Sequence, residues 1–343
     1  MPETKLSLEK TSVTPPEERL SVRRVGEEKA LASFADDVRR GLTSTPKVLY
    51  PKYLYDELGS RLFEAITALP EYYVTRCEAE ILRQHAGDIA AAIGGPLWLV
   101  ELGSGDGQKT RLLIEALLAR QEKLEYVPVD ISESAVEISS RSLLLSYPDL
   151  RITAYIGEYQ AALRMIRRER AAPGCPLVLF LGSTLGNMDP EERLAFLRDV
   201  RKLLNPGEGF LVGVDLQKPE EVLIPAYDDP LGVTAAFDLN LLVRINRELE
   251  GGFDIATFRH RAIYNREVGR IEMHLESRQA QSVPIRALGI EIPFARGETI
   301  HTESSYKFRV DQIVALAAET GFELRRTWKD SRGWFASNLL VAV

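Results

Sequence analysis

A short apolar run that ends in a glycine-rich turn constrains the fold of this chain more than any other segment. Residues 97–102 read Leu-Trp-Leu-Val-Glu-Leu, and Gly103, Gly105 and Gly107 follow at alternate positions. The apolar run predicts a buried strand, and the residues after the glycines predict a helix over 109–119. Glycine suits such a turn because it tolerates unusual backbone angles and leaves room for a ligand to contact the main chain. The segment therefore predicts a strand, a tight turn close to a ligand, and a helix.

The length, composition and charge of the chain exclude several classes of protein. With 343 residues, of which 45% are hydrophobic and 27% charged, the chain has the composition of a globular protein with a full core. The net charge of −7 argues against binding to nucleic acid, because that activity needs a basic face. The two cysteines, Cys77 and Cys175, are too few for a disulfide framework or a zinc site. Because the sequence has neither a membrane-spanning apolar run nor a secretory signal, we expect a cytoplasmic protein without membrane partners.

Strand and helix patterns alternate through the middle of the chain. Apolar strands are predicted near 97–102, 125–130, 151–156, 177–182 and 209–214, and two more strands near 323–328 and 337–343 complete the sheet. This alternation predicts an α/β fold with a doubly wound, mainly parallel sheet of seven strands. Between the fifth and sixth strands the rhythm changes to a helix followed by hairpins, which predicts a second, α+β domain. The predicted organisation is a disordered tail over 1–24, a substrate-binding domain over 25–77 plus 217–306, and a ligand-binding sheet domain over 78–216 plus 307–343.

The ends of the predicted parallel strands carry candidate binding residues, because open α/β sheets bind ligands at the carboxyl ends of their strands. Asp130 closes the second strand, where a carboxylate can accept hydrogen bonds from both hydroxyls of a ribose. The alternative is that Asp130 only caps the helix that begins near Ser132. Asn187 follows the fourth strand in a segment rich in small residues, and its amide offers both a donor and an acceptor. The alternative there is an ordinary asparagine in a turn.

The spacing of the glycines discriminates between two kinds of nucleotide ligand. A loop that binds a nicotinamide dinucleotide prefers the pattern GxGxxG. The pattern here is GxGxG with Glu101 just ahead of it, and it resembles motif I of S-adenosylmethionine (SAM) methyltransferases. The ligand that this resemblance implies carries an adenosine and a cationic sulfonium. A plain tight turn at a strand end is the alternative.

Motifs spread from about residue 26 to the C-terminus resemble a single family. They comprise 55–63 (Tyr-Asp-Glu-Leu-Gly-Ser-Arg-Leu-Phe), 69–73 (Leu-Pro-Glu-Tyr-Tyr), 75–78 (Thr-Arg-Cys-Glu), 101–105 (Glu-Leu-Gly-Ser-Gly), 109–111 (Lys-Thr-Arg), 180–187 (Phe-Leu-Gly-Ser-Thr-Leu-Gly-Asn), 226–229 (Ala-Tyr-Asp-Asp), 232–237 (Gly-Val-Thr-Ala-Ala-Phe), 270–273 (Arg-Ile-Glu-Met) and 302–308 (Thr-Glu-Ser-Ser-Tyr-Lys-Phe). Together they resemble the SAM-dependent L-histidine Nα-methyltransferases of ergothioneine biosynthesis. The resemblance implies a Rossmann-like SAM-methyltransferase sheet and three successive methylations of the histidine amino group, which give the betaine hercynine.

The same resemblance implies a role for individual residues. It assigns Gly103, Lys109, Asp130, Glu158 and Tyr159 to SAM, the last two at the adenine end. It assigns Tyr72, Asn187, Tyr227, Glu303 and Ser305 to the binding of histidine. It also implies that Phe237 and Met273 line the pocket and that Tyr55 lies beside the amino group as the catalytic residue. One departure matters: where the family is expected to read Gly-Asp-Phe, this chain reads Gly-Glu-Tyr at 157–159, which weakens the prediction of an adenine contact.

The chemistry of these side chains matches the implied substrate. Glu303 and Ser305 are two residues apart, so on a strand both point to one face. A carboxylate accepts a hydrogen bond from one imidazole N–H, and a hydroxyl donates to the other nitrogen. Asn187 and Tyr227 are predicted to hold the substrate carboxylate, and Tyr55 with Tyr72 to position the amine. Without the other motifs, a solvated face of an antiparallel strand is the simpler interpretation of Glu303 and Ser305.

Two other functions remain open from the sequence. One keeps the reaction but replaces histidine with a related amino acid or amine, and the other is a SAM-binding module without catalysis. A sulfonium is already activated for methyl transfer, so we predict no metal. We further expect a monomer whose partners are small molecules, namely L-histidine and SAM.

Overall fold

The computed structural model describes residues 15–26, 30–169 and 173–343. The strands are β1 (Leu20–Arg24), β2 (Lys47–Val48), β3 (Leu97–Leu102), β4 (Leu124–Asp130), β5 (Leu150–Ile156), β6 (Cys175–Phe180), β7 (Gly209–Asp215), β8 (Phe258–Asn265), β9 (Arg270–Ser277), β10 (Gln281–Ile285), β11 (Ile290–Phe294), β12 (Thr299–Tyr306), β13 (Phe322–Lys329) and β14 (Phe335–Ala342). The helices are α1 (Ala30–Thr43), α2 (Glu57–Ala68), α3 (Val74–Ala91), α4 (Thr110–Leu118), α5 (Glu133–Ser146), α6 (Tyr159–Glu169), α7 (Pro190–Leu203), α8 (Glu220–Leu223), α9 (Val233–Leu249) and α10 (Val310–Glu319).

A central sheet of eight strands organises the larger part of the fold. Its order is β1-β5-β4-β3-β6-β7-β14-β13, with parallel pairing as far as β7 and antiparallel pairing for the last two strands. Strands such as β3 and β7 are buried along their whole length, because helices cover both faces of a parallel sheet. The predicted α/β fold is confirmed, and all seven predicted strands lie in this sheet. The predicted number of strands is one too low.

The additional strand comes from the segment that was predicted to be a disordered tail. Residues 16–19 form a 3₁₀ turn, and β1 then pairs in parallel with β5. The guanidinium of Arg19 is buried and donates hydrogen bonds of 2.8 Å to the carbonyl oxygens of Tyr147 and Leu150. The prediction of disorder is therefore wrong for residues 15–24, because hydrogen bonds rather than apolar burial order this segment. Residues 1–14 lie outside the described part of the chain.

A second, smaller sheet has the order β2-β12-β9-β8, and β10 pairs with β11 in a separate hairpin. Strand β2 lies between β1 and β3 in the chain, whereas β12 belongs to the segment inserted after β7, and the two pair in parallel. The chain returns to the central sheet after β12, where the Phe308 N–H donates to the Asp215 carbonyl oxygen at 2.8 Å. The segment between β1 and β3 and the inserted segment thus share a sheet; the exact domain boundaries remain a prediction.

No helix in the described ranges is both long enough and apolar enough to cross a membrane.

Candidate active site

The glycine-rich turn lies between β3 and α4 and leaves main chain accessible. Gly103, Gly105 and Gly107 have φ values of +73°, +50° and +65°, which side-chain-bearing residues rarely adopt. Gly103 is exposed, and a Cβ atom added to it would lie 2.8 Å from the hydroxyl oxygen of Tyr159. The turn therefore presents bare backbone beside a tyrosine ring, as the sequence predicted for a ligand-binding turn.

Asp130 connects this turn to the end of the next strand. One carboxylate oxygen accepts the Gly105 N–H at 3.0 Å, and the other accepts the Ser132 N–H at 2.9 Å. Burial raises the pKa of Asp130, while these backbone hydrogen bonds act in the opposite direction. Because a carboxylate has about four acceptor positions, it can hold the turn before α5 and still accept hydrogen bonds from a ligand. The capping and ligand-binding interpretations of Asp130 are thus compatible.

Glu101 has a structural partner for each of its oxygens. Its carboxylate accepts a hydrogen bond of 2.6 Å from the Thr110 hydroxyl and another from the Tyr126 hydroxyl. Burial raises the pKa of Glu101 to about 7, although both hydrogen bonds oppose this shift. Glu101 therefore joins β3 to the start of α4 and to β4.

The remaining predicted SAM residues occupy different environments. Lys109 forms an ion pair with Glu78, a fully buried residue of α3. The same Glu78 oxygen accepts the Gly182 N–H at 2.8 Å, so Lys109 is linked to the end of β6. Glu158 is exposed after β5, whereas the ring of Tyr159 packs edge-on against Phe180 with centroids 5.6 Å apart. Glu158 thus lies at the predicted strand end and has its side chain in solvent.

On the other side of the site, Glu303 is a buried acid on β12. Its Oε1 atom accepts a hydrogen bond of 2.8 Å from the side-chain amide of Asn187. Burial and the neighbouring Asp238 carboxylate raise the pKa of Glu303 to about 8, and the Lys307 ammonium opposes them. Asn187 lies in the 3₁₀ turn that follows β6, so this hydrogen bond joins the two sheets. The sequence predicted both residues, and the structure brings them together.

A triangle of hydrogen bonds lies next to Glu303. The hydroxyl oxygens of Tyr227 and Ser305 are 2.9 Å apart. The Lys307 ammonium donates to the first at 2.7 Å and to the second at 2.8 Å. Since all three side chains are buried, the triangle is a preorganised polar surface.

Asp215, the last residue of β7, holds the Lys307 ammonium of this triangle. Its carboxylate lies 2.9 Å from that ammonium and also forms an ion pair with Lys218. It accepts a hydrogen bond of 2.7 Å from the Tyr73 hydroxyl. Burial alone would raise the pKa of Asp215, but the two lysines hold it below its ordinary value. Asp215 is therefore a buried carboxylate that stays ionised because it is paired.

Aromatic rings form the apolar wall of the site. The ring centroid of Tyr55 lies 5.5 Å from that of Phe237, and the centroids of Tyr72 and Tyr227 are 6.2 Å apart. Burial, and then the nearby charge of Glu303, raise the pKa of Tyr55 well above its ordinary value, so its hydroxyl is neutral at physiological pH. Met273 lies opposite Glu303 in the register of β9 and β12. The structure thus assembles the predicted wall around the predicted polar residues.

A buried histidine supports the backbone of this wall. His260 Nδ1 lies 2.7 Å from the Asp238 carboxylate, and its Nε2 lies 2.8 Å from the Tyr227 carbonyl oxygen. Burial acts to lower the pKa of His260, but the Asp238 carboxylate raises it above its ordinary value. Asp238 and His260 therefore fix the main chain at Tyr227, and Asp238 also adds negative charge near Glu303.

Sequence reasoning missed several buried charged residues beside the site, namely Glu78, Asp215, Asp238 and Lys307. Two of them could have been predicted from the sequence. Lys307 continues the alternation of Glu303 and Ser305 along the strand. Asp215 directly follows the fifth predicted parallel strand, at a strand end like that of Asp130. Glu78 and Asp238 lie on helices, where one acid cannot be distinguished from any other without the tertiary contacts.

Comparison with known proteins gives matches along most of the chain. A family model described as histidine-specific, SAM-dependent methyltransferase matches residues 34–342. The histidine N-alpha-methyltransferase of Mycolicibacterium smegmatis is 43% identical over 312 residues, which cover 91% of this chain and 96% of that protein. The enzyme of the same name from Mycobacterium tuberculosis is 42% identical over 94% of this chain and 99% of its own length. Ergothioneine biosynthesis protein 1 of Schizosaccharomyces pombe is 29% identical over 67% of this chain and 31% of that protein.

Proposed function

Because the chain belongs to the SAM-dependent, histidine-specific methyltransferases, we propose that it adds three methyl groups in succession to the α-amino nitrogen of L-histidine. The product is hercynine, and the reaction is the first step of ergothioneine biosynthesis. The chain is an enzyme and its methyl donor is SAM. The observation that carries the proposal is that Glu303 and Ser305 are both buried and lie on the same face of β12, beside several tyrosine rings.

The residues present fit SAM. Gly103 leaves exposed backbone that a Cβ atom would fill, and Asp130 is a half-buried carboxylate with acceptor positions to spare for the ribose hydroxyls. Tyr159 places an aromatic ring beside the same turn. Lys109 borders the site through its ion pair with Glu78, and Glu158 is proposed at the adenine end from its strand-end position. When bound, SAM supplies a methyl group that its sulfonium activates.

Glu303 and Ser305 are proposed to recognise the imidazole. A carboxyl oxygen of Glu303 accepts a hydrogen bond from one imidazole N–H, which it can do in either protonation state, and the hydroxyl donates to the other nitrogen. A substrate without these groups leaves Glu303 with the Asn187 amide as its hydrogen-bond donor and no donor from the ligand. Sites that hydrogen-bond a polar group of the substrate reject analogues without it by factors of about 10⁴–10⁵. This argument favours histidine over other amino acids.

Asn187 and Tyr227 are proposed to hold the carboxylate of the substrate, and Tyr55 and Tyr72 to orient its amine. The Tyr55 hydroxyl is neutral, so it can accept a hydrogen bond from the amine and direct the nitrogen lone pair. The amine must lose one proton before each of the three transfers, because only the unprotonated nitrogen has a lone pair. Positioning of this kind provides effective molarities of about 10⁵–10⁸ M in well-oriented reactions.

The aromatic wall also suits the product. Each transfer replaces an N–H donor with a methyl group, and the final quaternary ammonium keeps its positive charge but has no hydrogen to donate. The rings of Tyr55 and Phe237 offer faces that attract such a cation. A pocket built from both hydroxyls and rings can therefore hold the substrate at every stage of methylation.

Mass spectrometry of L-histidine incubated with SAM and the purified protein tests the proposal. We expect products that carry one, two and three added methyl groups, with the trimethylated form accumulating. A panel of other amino acids and amines assayed in parallel tests the related-substrate alternative. Binding of SAM without any methylated product would instead support a non-catalytic module and refute the proposal.

The protein is also proposed to act as a cytoplasmic monomer. Every residue assigned to the site comes from one chain, so the pocket can be complete without a second copy. Light scattering at assay concentrations tests this, and a dimer mass would refute it.

A further inference from the structure

Two buried lysines share one carboxylate beneath the substrate pocket, but only one of them contacts pocket hydroxyls. Lys307 and Lys218 both form ion pairs with Asp215, and their side chains are 0% and 2% exposed. Lys307 also donates to the hydroxyls of Tyr227 and Ser305. Lys218 donates instead to the Tyr73 hydroxyl and the Leu216 carbonyl oxygen. The two lysines therefore share their charge environment and differ in what they orient.

The hydrogen-bond capacity of the Lys307 ammonium is fully used. It has three N–H donors and no acceptor, and its partners are the Tyr227 hydroxyl at 2.7 Å, the Ser305 hydroxyl at 2.8 Å and the Asp215 carboxylate at 2.9 Å. Because Lys307 has no N–H left for a ligand, it acts on the substrate only through these two hydroxyls.

The ammonium also determines what the two hydroxyls can do. Each hydroxyl has one proton and two acceptor positions, and Lys307 occupies one acceptor position on each. Because the two hydroxyls also hydrogen-bond each other, one proton is used within the pair and one remains for a ligand. That proton is more readily donated because both oxygens are polarised by a cation. A neutral residue in place of Lys307 would let both hydroxyls rotate and exchange the donor and acceptor roles.

We infer that Lys307 is a positioning residue for histidine: it orients the hydrogen-bonded Tyr227 and Ser305 hydroxyls so that the pair directs its one remaining proton toward the substrate, and Asp215 holds Lys307 in place. This inference rests on the proposed function, since it assigns those two hydroxyls to the substrate. The positive charge of Lys307 also opposes the rise in the pKa of Glu303 caused by burial and by Asp238. Lys307 thus supports both members of the Glu303 and Ser305 pair.

The two lysines provide a matched experiment. In Lys307→Met, Asp215 keeps Lys218 and the Tyr73 hydroxyl, and in Lys218→Met it keeps Lys307, so each variant leaves one ion pair on the carboxylate. We expect Lys307→Met to raise the KM for histidine by about 10- to 100-fold, since two charge-assisted hydrogen bonds are lost. The affinity for SAM, measured by calorimetry, should stay within about threefold of the wild type. Lys218→Met should change the KM for histidine by less than about threefold.

A double-mutant cycle tests whether Lys307 affects histidine binding through the Ser305 hydroxyl. If Lys307 acts through Ser305, then Lys307→Met should have a much smaller effect in a Ser305→Ala background than in the wild type, by a factor of about three or more. Melting temperatures of all variants show whether they are folded. If Lys307→Met does not fold, then Lys307→Gln, which keeps an N–H donor without the charge, replaces it and should give an intermediate KM.

Three results are informative. An unchanged KM for histidine in a folded Lys307 variant overturns the inference. An equal rise in Lys218→Met also overturns it, because the effect would then come from Asp215 and not from the hydroxyls. Failure of the wild-type protein to methylate histidine would instead refute the proposed function, so the two failures are distinguishable.

Discussion

The two ends of the candidate active site are built from different parts of the polypeptide. At the proposed SAM end, the main chain at Gly103 and Gly105 is shaped by positive φ angles, and the Gly105 N–H donates to the Asp130 carboxylate. At the proposed histidine end, buried side chains such as Ser305 and Lys307 are hydrogen-bonded to one another. The SAM end therefore depends on backbone conformation, and the histidine end depends on charges and hydroxyls that satisfy each other. Substitutions should affect the two ends independently.

The largest effect is expected at the histidine end. Glu303→Ala removes the acceptor for the imidazole N–H and leaves the Asn187 amide without its partner. We expect kcat/KM for histidine to fall by about 10²–10³, as when one partner of a buried polar pair is lost. The affinity for SAM should be retained, as measured by calorimetry. Glu276→Ala serves as a control, because Glu276 is a buried acid of the same sheet that pairs with Arg259; equal histidine affinity in Glu303→Ala would contradict the assignment.

A second prediction concerns the SAM end. Gly103→Ala places a Cβ atom 2.8 Å from the Tyr159 hydroxyl oxygen, whereas the Cβ of Gly105→Ala meets no described atom within 4 Å. Both positions have positive φ, so their difference isolates the contact with Tyr159. We expect Gly103→Ala to weaken SAM binding by about tenfold or more relative to Gly105→Ala, because forcing a methyl group into occupied space costs about 1–3 kcal/mol. Adding Tyr159→Phe should recover part of the loss; no difference between the two alanine variants would argue against a SAM site at Gly103.

Tyr55 lies where the two ends meet, and its removal should affect turnover alone. Tyr55→Phe keeps the ring that packs against Phe237 and loses only the hydroxyl. We expect kcat to fall by about five- to tenfold, the equivalent of one hydrogen bond, with SAM binding unchanged. Tyr50→Phe is the control, since the Tyr50 hydroxyl faces Arg40. Unchanged turnover would remove Tyr55 from the mechanism.

The last prediction concerns stability and its dependence on pH rather than activity. The pKa of Glu303 is raised to about 8 from an ordinary value of 4.5, so between these values the folded protein keeps a proton that the unfolded chain releases. The free energy of unfolding should therefore fall as the pH rises through this range, by up to about 1.4 kcal/mol per pH unit from this group. Glu303→Gln cannot titrate and should lose less stability between about pH 6 and about pH 8. Denaturant unfolding at both pH values measures the difference, and parallel curves for the two proteins would contradict the prediction.

The elements that the sequence predicted well are those with a strong local signal. The strand before Gly103 and the predicted strands at its sides are apolar runs bounded by turns, and the central part of the sheet buries them on both faces. The edge strand β13 is largely exposed on one face. Strand β1 was missed because Arg19 and its neighbours lack an apolar pattern, and hydrogen bonds to α5 and β5 order them instead. An edge strand of this kind leaves almost no trace in a single sequence.

The candidate site also contains residues that the sequence could predict and contacts that it could not. Glu303 and Ser305 are recognisable because alternation on a strand places them on one face, and the family motifs assign them a substrate. That Asn187 donates to Glu303, and that Asp215 pairs with both Lys218 and Lys307, depends on how separate strands end at one edge of the fold. Such pairings join residues far apart in the chain, and many pairs of opposite charge would be equally compatible with the sequence.

The sequence by itself determined the α/β fold, because backbone propensity and strand alternation act over short distances along the chain. Its motifs, through their resemblance to a known family, also indicated the family, the methyl donor and the residue types of the pocket. Only the tertiary structure decided which buried charges meet and which of two lysines contacts the pocket hydroxyls. The physical reason is that a buried charge is stable only beside a partner, and the packing of the two sheets decides which partner that is.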